Sequence, residues 1–208
     1  MSGMWGNKLK VSIFGESHGV GIGITIDGLP SGFEINMNEI LKEMGRRAPG
    51  KSKLSTARRE TDSPEILSGY FEGKTTGTPL CAIIRNGDQH SKDYGKLKDL
   101  MRPGHADYPG NIRYNGFNDY RGGGHFSGRI TAPLVFAGAI CKQILESRGI
   151  FIGSHVKSIG EIEDKSFSEV ELTKELLDNL KALILKLSAL PKKHPLIEEE
   201  PWKSRGFI

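Results

Sequence analysis

Long hydrophobic runs are missing from this sequence. No segment approaches the roughly 20 consecutive apolar residues that cross a bilayer, and the N-terminus lacks the basic start and apolar stretch of a secretory signal. A protein that stays in the compartment where it is made, without a membrane partner, is the expectation. Cysteine is scarce: Cys81 and Cys141 are the only two. They lie in apolar runs with no metal-ligand spacing between them, which argues against a disulfide scaffold and for two reduced, buried thiols in a reducing cytoplasm. Internal repeats are absent, and the formal net charge is only +4.

What is present is an ordinary globular composition with one outlier. A hydrophobic share of 37% over 208 residues can supply a normal core in one large domain or two small ones. Glycine, at 27 residues, exceeds its usual share of about 7%. Neither a collagen period nor low complexity explains it. The glycines gather at 15 to 23, 104 to 124 and 128, beside histidines and arginines, where backbone can approach a ligand closely. The cations are also uneven: Arg46, Arg47, Lys51, Lys53, Arg58 and Arg59 fall in one short stretch. That stretch suits an anionic ligand, or else forms a solvated basic loop.

Residues 9 to 14 and 21 to 27 are apolar and β-branched and predict two strands, with GESHG at 15 to 19 as the turn between them. Residues 36 to 47 predict an amphipathic helix with Ile40, Leu41 and Met44 on one side, followed by a loop over 48 to 63. Strands are predicted at 65 to 71 and 79 to 85, then a polar segment to about residue 100. The stretch 102 to 131 has no helical period, and its five aromatic residues favour a functional loop system over disorder. Thr131 is the expected cap of a buried helix that opens on Ala132 and Pro133 and ends at Gly149. A strand at 150 to 156 and a second helix, opened by the capping box Ser168 and Glu171 and running to about Leu190, complete the reading.

Two histidines stand out. His18 follows Glu16 and Ser17 in a glycine-flanked turn, where an imidazole that changes charge near neutral pH could act as a general acid. His105 lies in RPGHADYPG, where Pro103, Gly104, Pro109 and Gly110 shape the backbone and Asp107 could orient the ring. Each has an ordinary structural alternative, and a metal site from His18, His105, Glu16 and Asp107 lacks a recognised ligand spacing. Arg46, Arg47, Arg58, Arg59, Arg102, Arg121 and Arg129 supply planar forks for phosphate and carboxylate, which implies a doubly anionic substrate. The run DYRGGGHFSGR at 119 to 129 could lie against a planar ring or a phosphate. RGG-type sequences also occur in RNA-binding tails, but those are repetitive and this run is single.

Five segments together resemble the chorismate synthase family, in that family's order: GESHG at 15 to 19, DGLPSG at 27 to 32, EGKTTGTP at 72 to 79, RPGHADYPG at 102 to 110 and DYRGGG at 119 to 124. The resemblance is close from about residue 5 to 145 and looser beyond. It implies an α+β fold, a β-α-β sandwich with residues 1 to 208 as the N-terminal part of a single domain. It also implies a homotetrameric lyase of the shikimate pathway of aromatic amino acid biosynthesis. That enzyme releases phosphate from 5-enolpyruvylshikimate 3-phosphate to give chorismate, a 1,4-elimination that uses reduced FMN without net redox change.

By the family's pattern His18 would protonate the departing phosphate and His105 would serve the reduced flavin. Ser17, Arg58, Arg59 and Arg102 would face the substrate. Arg47, Lys53, His125, Phe126 and Ser127 would face the flavin or an NADPH that keeps it reduced. No nucleic acid partner is implied. Two departures are visible: His125, Phe126 and Ser127 stand where Arg-Ser-Ser is more common, and Lys53 stands where an arginine is usual. Family members continue for a second half that completes the flavin pocket and supplies an aspartate base. Residues 190 to 208 do not resemble that continuation, so the chain is expected to be incomplete at its C-terminus.

Overall fold

The computed structural model describes residues 3–48, 62–87, 98, 100–164, 171 and 173–178. Its centre is an antiparallel five-stranded sheet in which β1 (Met4–Trp5), β2 (Lys10–Gly15), β3 (Gly21–Asp27), β7 (Leu80–Arg85) and β4 (Pro64–Ser68) lie side by side in that order. Alternation along the strands decides the two faces. Val11, Ile26 and Leu80 form one cross-strand row, and Ile13, Ile24, Ala82 and Ile66 form the next. Ile22, Ile24, Ile26 and Leu80 are buried within 1% of completely, and each isoleucine so placed contributes about 1.5–3 kcal/mol of transfer free energy.

Helices α1 (Met37–Arg47) and α3 (Thr131–Glu146) cover this face with Ile40, Met44, Phe136 and Ile140. Asn36 caps α1, its side-chain oxygen accepting from the amides of Asn38 at 3.0 Å and Glu39 at 3.4 Å. Gln143 of α3 clasps the same cap residue, donating to the Asn36 carbonyl and accepting from its amide. On the other face Ser12, Thr25, Cys81 and Ser68 form one row and Phe14, Gly23, Ile83 and Glu65 the next. Both cysteines are free.

Four sequence expectations change. The strand foreseen over 65 to 71 breaks at Gly69, whose φ of +77° turns the chain. Beyond it β5 (Tyr70–Phe71) pairs with β6 (Lys74–Thr75) in a separate hairpin. Thr131 does not cap α3: it is the first helical residue, and its hydroxyl donates to the Gly128 carbonyl at 2.6 Å. No strand forms at 150 to 156, because Ile150, Phe151, Ile152 and Val156 stay exposed and find no ladder among the described residues. A small hairpin of β8 (Ser158–Ile159) and β9 (Ile162–Glu163) follows instead.

Finally, the stretch read as loop contains α2 (Asp107–Arg113), whose seven residues are too few to display a period, a kinked turn over Arg121–Phe126 whose three central glycines are non-helical, and a 3-10 turn over Gly128–Ile130. Where a second long helix is predicted, the five-residue α4 (Lys174–Asp178) falls within the described residues. Ser168 of the predicted capping box and the predicted continuation beyond 178 lie outside them. No helix among the described residues is long and apolar enough to cross a membrane.

Candidate active site

The β2–β3 hairpin delivers its turn, residues 16 to 20, onto the glycine run at 121 to 125. Three contacts dock the two segments. The Ser17 amide donates to the Gly124 carbonyl at 3.2 Å. The Ser17 hydroxyl lies within reach of the carbonyls of Gly122 at 3.2 Å and Arg121 at 3.3 Å. His125 Nδ1 sits 2.9 Å from the Gly15 carbonyl, and since a carbonyl only accepts, this nitrogen carries the proton. The hairpin therefore places His18, buried to 8% exposure, directly over the run.

Glycine is required there for two reasons. Gly122, Gly123 and Gly124 all have positive φ, at 57°, 85° and 54°. In addition, a Cβ on Gly122 would sit 2.1 Å from His18 Cε1, and one on Gly124 would sit 2.1 Å from the Asp119 carbonyl oxygen. The run is thus a flat floor under the imidazole. Ser17 Oγ meets His18 Nδ1 at 3.0 Å. With two carbonyls competing for the one hydroxyl proton, the arrangement favours Nδ1–H donating to Oγ, which leaves Nε2 as the position that gains or gives a proton.

Of the arginines foreseen as anion binders, the five among the described residues, Arg46, Arg47, Arg102, Arg121 and Arg129, have carboxylate partners. Arg121 forks onto Asp119 with Nε at 2.9 Å and Nη2 at 2.7 Å. The fork holds the Asp119 carboxyl below the usual carboxylate range against a burial cost that pushes the other way, and it raises Arg121 in turn. Arg102 forks onto Asp107 in the same manner, at 2.8 and 3.0 Å, and lowers that carboxyl too. Asp107 is thus engaged by Arg102, and His105 adds a smaller electrostatic lowering of the same carboxyl. The His105 amide donates to the Arg102 carbonyl at 3.3 Å. Arg46 points outward to Glu43 at 2.9 Å.

A third cluster lies beneath. The Asp62 side chain is completely buried and joins Arg47, at 2.6 Å, to Arg129. Arg47 also reaches Thr131 Oγ1 and the Gly128 carbonyl, pinning the start of α3 to the end of α1. Ser127 caps the turn before α3, its hydroxyl accepting from the Arg129 amide at 3.3 Å. Phe126 stands edge-on to His125 at 6.3 Å and tilted against Tyr114 at 6.2 Å. It lines a pocket with Arg102, Asp107, Asp119, Tyr120 and Gly123.

The structure thus brings Ser17, His18, Arg102, His125, Phe126 and Ser127 onto or beside one glycine floor, and places Arg47 in the ion-paired cluster below it. Lys53, Arg58 and Arg59 lie outside the described residues. Among the described residues no group of three His, Cys, Asp or Glu side chains is placed to hold a metal ion. Sequence reasoning missed Asp62, Asp119 and Asn86. The two aspartates had a weak signal in their nearness to arginines; Asn86 had none.

The family model for chorismate synthase matches residues 9–191. The chain belongs to the chorismate synthase family. It is 48% identical to a chorismate synthase of Thermococcus kodakarensis over 83% of this chain and 48% of that protein. Identity is 51% to that of Pyrococcus abyssi, over 81% and 47% respectively, and 52% to that of Cupriavidus pinatubonensis, over 77% and 44%. A crystal structure of chorismate synthase superposes with a TM-score of 0.51 at 33% identity, covering 74% of this chain and 38% of that one. The mixed fold with its antiparallel sheet is therefore that family's. The chain spans about half the length of the curated chorismate synthases it matches.

Proposed function

We propose that this chain carries the proton-donating part of a chorismate synthase site. The reaction is the 1,4-elimination of phosphate from 5-enolpyruvylshikimate 3-phosphate to give chorismate. The observation that carries the reading is the seating of His18: a nearly buried imidazole, held by Ser17 over a floor only glycine can form, with Arg121 and Asp119 alongside. As phosphate departs, negative charge grows on its bridging oxygen. His18 Nε2 delivers a proton there, while Ser17 keeps the ring in register through Nδ1. Arginines already forked onto aspartates are pre-aligned, so an arriving anion meets oriented N–H groups with little reorganisation.

The residues present fit a flavin. A backbone floor lacking Cβ atoms, the Phe126 ring and the Arg102 guanidinium suit a planar, partly anionic ring system. Reduced FMN would supply electron density to the electron-poor reacting ring without net redox change. His125, Phe126, Ser127, Arg47 and Lys53 are its proposed contacts, with His105 beside it and NADPH as the reductant. Ser17, Arg58, Arg59 and Arg102 are the proposed substrate contacts. The aspartate base and the remainder of the pocket are assigned to the portion of the family's length outside this chain, and a cytoplasmic homotetramer is the proposed working form.

The test is phosphate release from 5-enolpyruvylshikimate 3-phosphate with photoreduced FMN. Two proteins are compared: this chain, and a version extended to the length of its relatives. Release from the extended protein is expected. No release from either would contradict the proposal.

A further inference from the structure

We infer that Asn86 is a positioning residue for His18: its side-chain amide clamps the 16 to 19 turn at both ends and ties it to the buried arginine cluster. The inference rests on the reading of His18 as the proton donor. Asn86 directly follows β7. Its Nδ2 donates to the Glu16 carbonyl at 3.0 Å and to the Gly19 carbonyl at 2.9 Å, the two residues that bracket Ser17 and His18. Its backbone amide donates to the Val20 carbonyl at 3.2 Å, and its Oδ1 accepts from Arg129 Nε at 3.1 Å.

The orientation of the amide follows from its partners. Carbonyls only accept and a guanidinium only donates, so the flipped amide would face like groups on every side. The same logic makes asparagine specific here. Aspartate has no proton for the two carbonyls, and glutamine would displace the amide by a methylene. Apart from Asn86, the turn is closed across its own ends by the Gly19 amide donating to Glu16 O at 3.1 Å.

Beyond Arg129 the chain of contacts continues to Asp62 and from there to Arg47. One side chain thus relates the place of the imidazole to a cluster that also pins the end of α1 and the start of α3. The His18 ring has less than one atom's clearance to spare over Gly122, where an added Cβ would stand 2.1 Å away. A small relaxation of the turn therefore alters the environment of the ring.

The test uses the 208-residue chain labelled with nitrogen-15. It reads the His18 ring nitrogen signals together with amide hydrogen exchange at Gly19 and, as a reference within the sheet, at Ile24. Asn86→Asp keeps an acceptor toward Arg129 and removes both donors. The expected result is displaced His18 ring signals and Gly19 exchange faster by on the order of tenfold, the factor one ordinary net hydrogen bond represents, with Ile24 unchanged. Asn86→Ser, which retains one donor, gives an intermediate shift, and it serves the same comparison should Asn86→Asp not fold.

Unchanged His18 signals and Gly19 exchange would overturn the inference. So would equal acceleration at Gly19 and Ile24, which would make Asn86 a contributor to global stability only. Neither readout depends on turnover. Failure of the family-length protein to release phosphate would thus sink the proton-donor reading and leave the clamp standing, whereas a failed clamp would leave the donor in place.

Discussion

The sheet with its two covering helices and the glycine-rich segment from 100 to 130 are fixed by different means. In the first, apolar side chains at period 2 on β2, β3 and β7 meet apolar faces of α1 and α3, and the burial of Ile22, Ile24, Ile26, Ile40 and Phe136 holds the arrangement. In the second, side chains such as Phe117, Tyr108 and Ile112 are largely exposed. Order there comes from positive-φ glycines, two bidentate Arg–Asp forks and contacts to the β2–β3 turn. A site assembled in the second way can bring polar groups close to a reacting ligand, because hydrophobic packing elsewhere supplies the stability.

Substitutions on the two sides should separate these mechanisms. Ile24→Ala opens the centre of the sheet and should lower unfolding stability by about 2–5 kcal/mol, seen as a fall in the denaturant midpoint with an unchanged slope. Gly122→Ala forces a Cβ into the His18 ring at φ +57° and should cost a smaller amount, about 1–3 kcal/mol. Its larger effect should fall on the imidazole, whose ring signals move while the exchange of β3 amides holds. If instead Gly122→Ala collapses the sheet as Ile24→Ala does, the two regions are not separable.

Acid should act on the site before the core. Asp107 and Asp119 have carboxyls lowered chiefly by hydrogen bonds from Arg102 and Arg121. A group whose folded value lies below its unfolded one adds stability above that unfolded value, about 3.9 for aspartate, and loses it as pH falls through the folded value. Below about pH 4 the 100 to 130 segment should therefore loosen while the sheet persists, which amide exchange resolved by residue would record. The smallest effect is expected at the exposed Arg85–Glu65 pair on the sheet, where Arg85→Ala should change stability by no more than about 1 kcal/mol.

Sequence legibility followed the same division. The strands at 10 to 15 and 21 to 27 and the helix at 37 to 47 were readable because each repeats its apolar residues at the period of its element, and the body of α3 because it is apolar nearly all round, as a buried helix is. The break at Gly69 was not, since a positive φ leaves no periodic trace. The apolar residues at 150 to 156 misled because a strand needs a partner that composition does not supply. In the site, Ser17 and His18 were legible from their glycine-flanked turn, and the triple glycine from its rarity. The pairing of Arg47, Arg121 and Arg129 with aspartates was not, because Asp62 and Asp119 declare their partners only after the chain has folded. Asn86, 70 residues from Glu16 across β3, α1, β4, the β5–β6 hairpin and β7, carried no mark at all.

The most direct test of the central claim, that the hairpin turn and glycine floor hold His18 as the proton donor, is single-turnover phosphate release by the His18→Asn variant. It would be made in the family-length protein with reduced FMN, beside a measurement of substrate binding. The account predicts release slowed by about 10²–10⁴-fold with binding retained, the loss expected when a positioned general acid is removed. Release at the unaltered rate, with the variant folded and substrate bound, would contradict it.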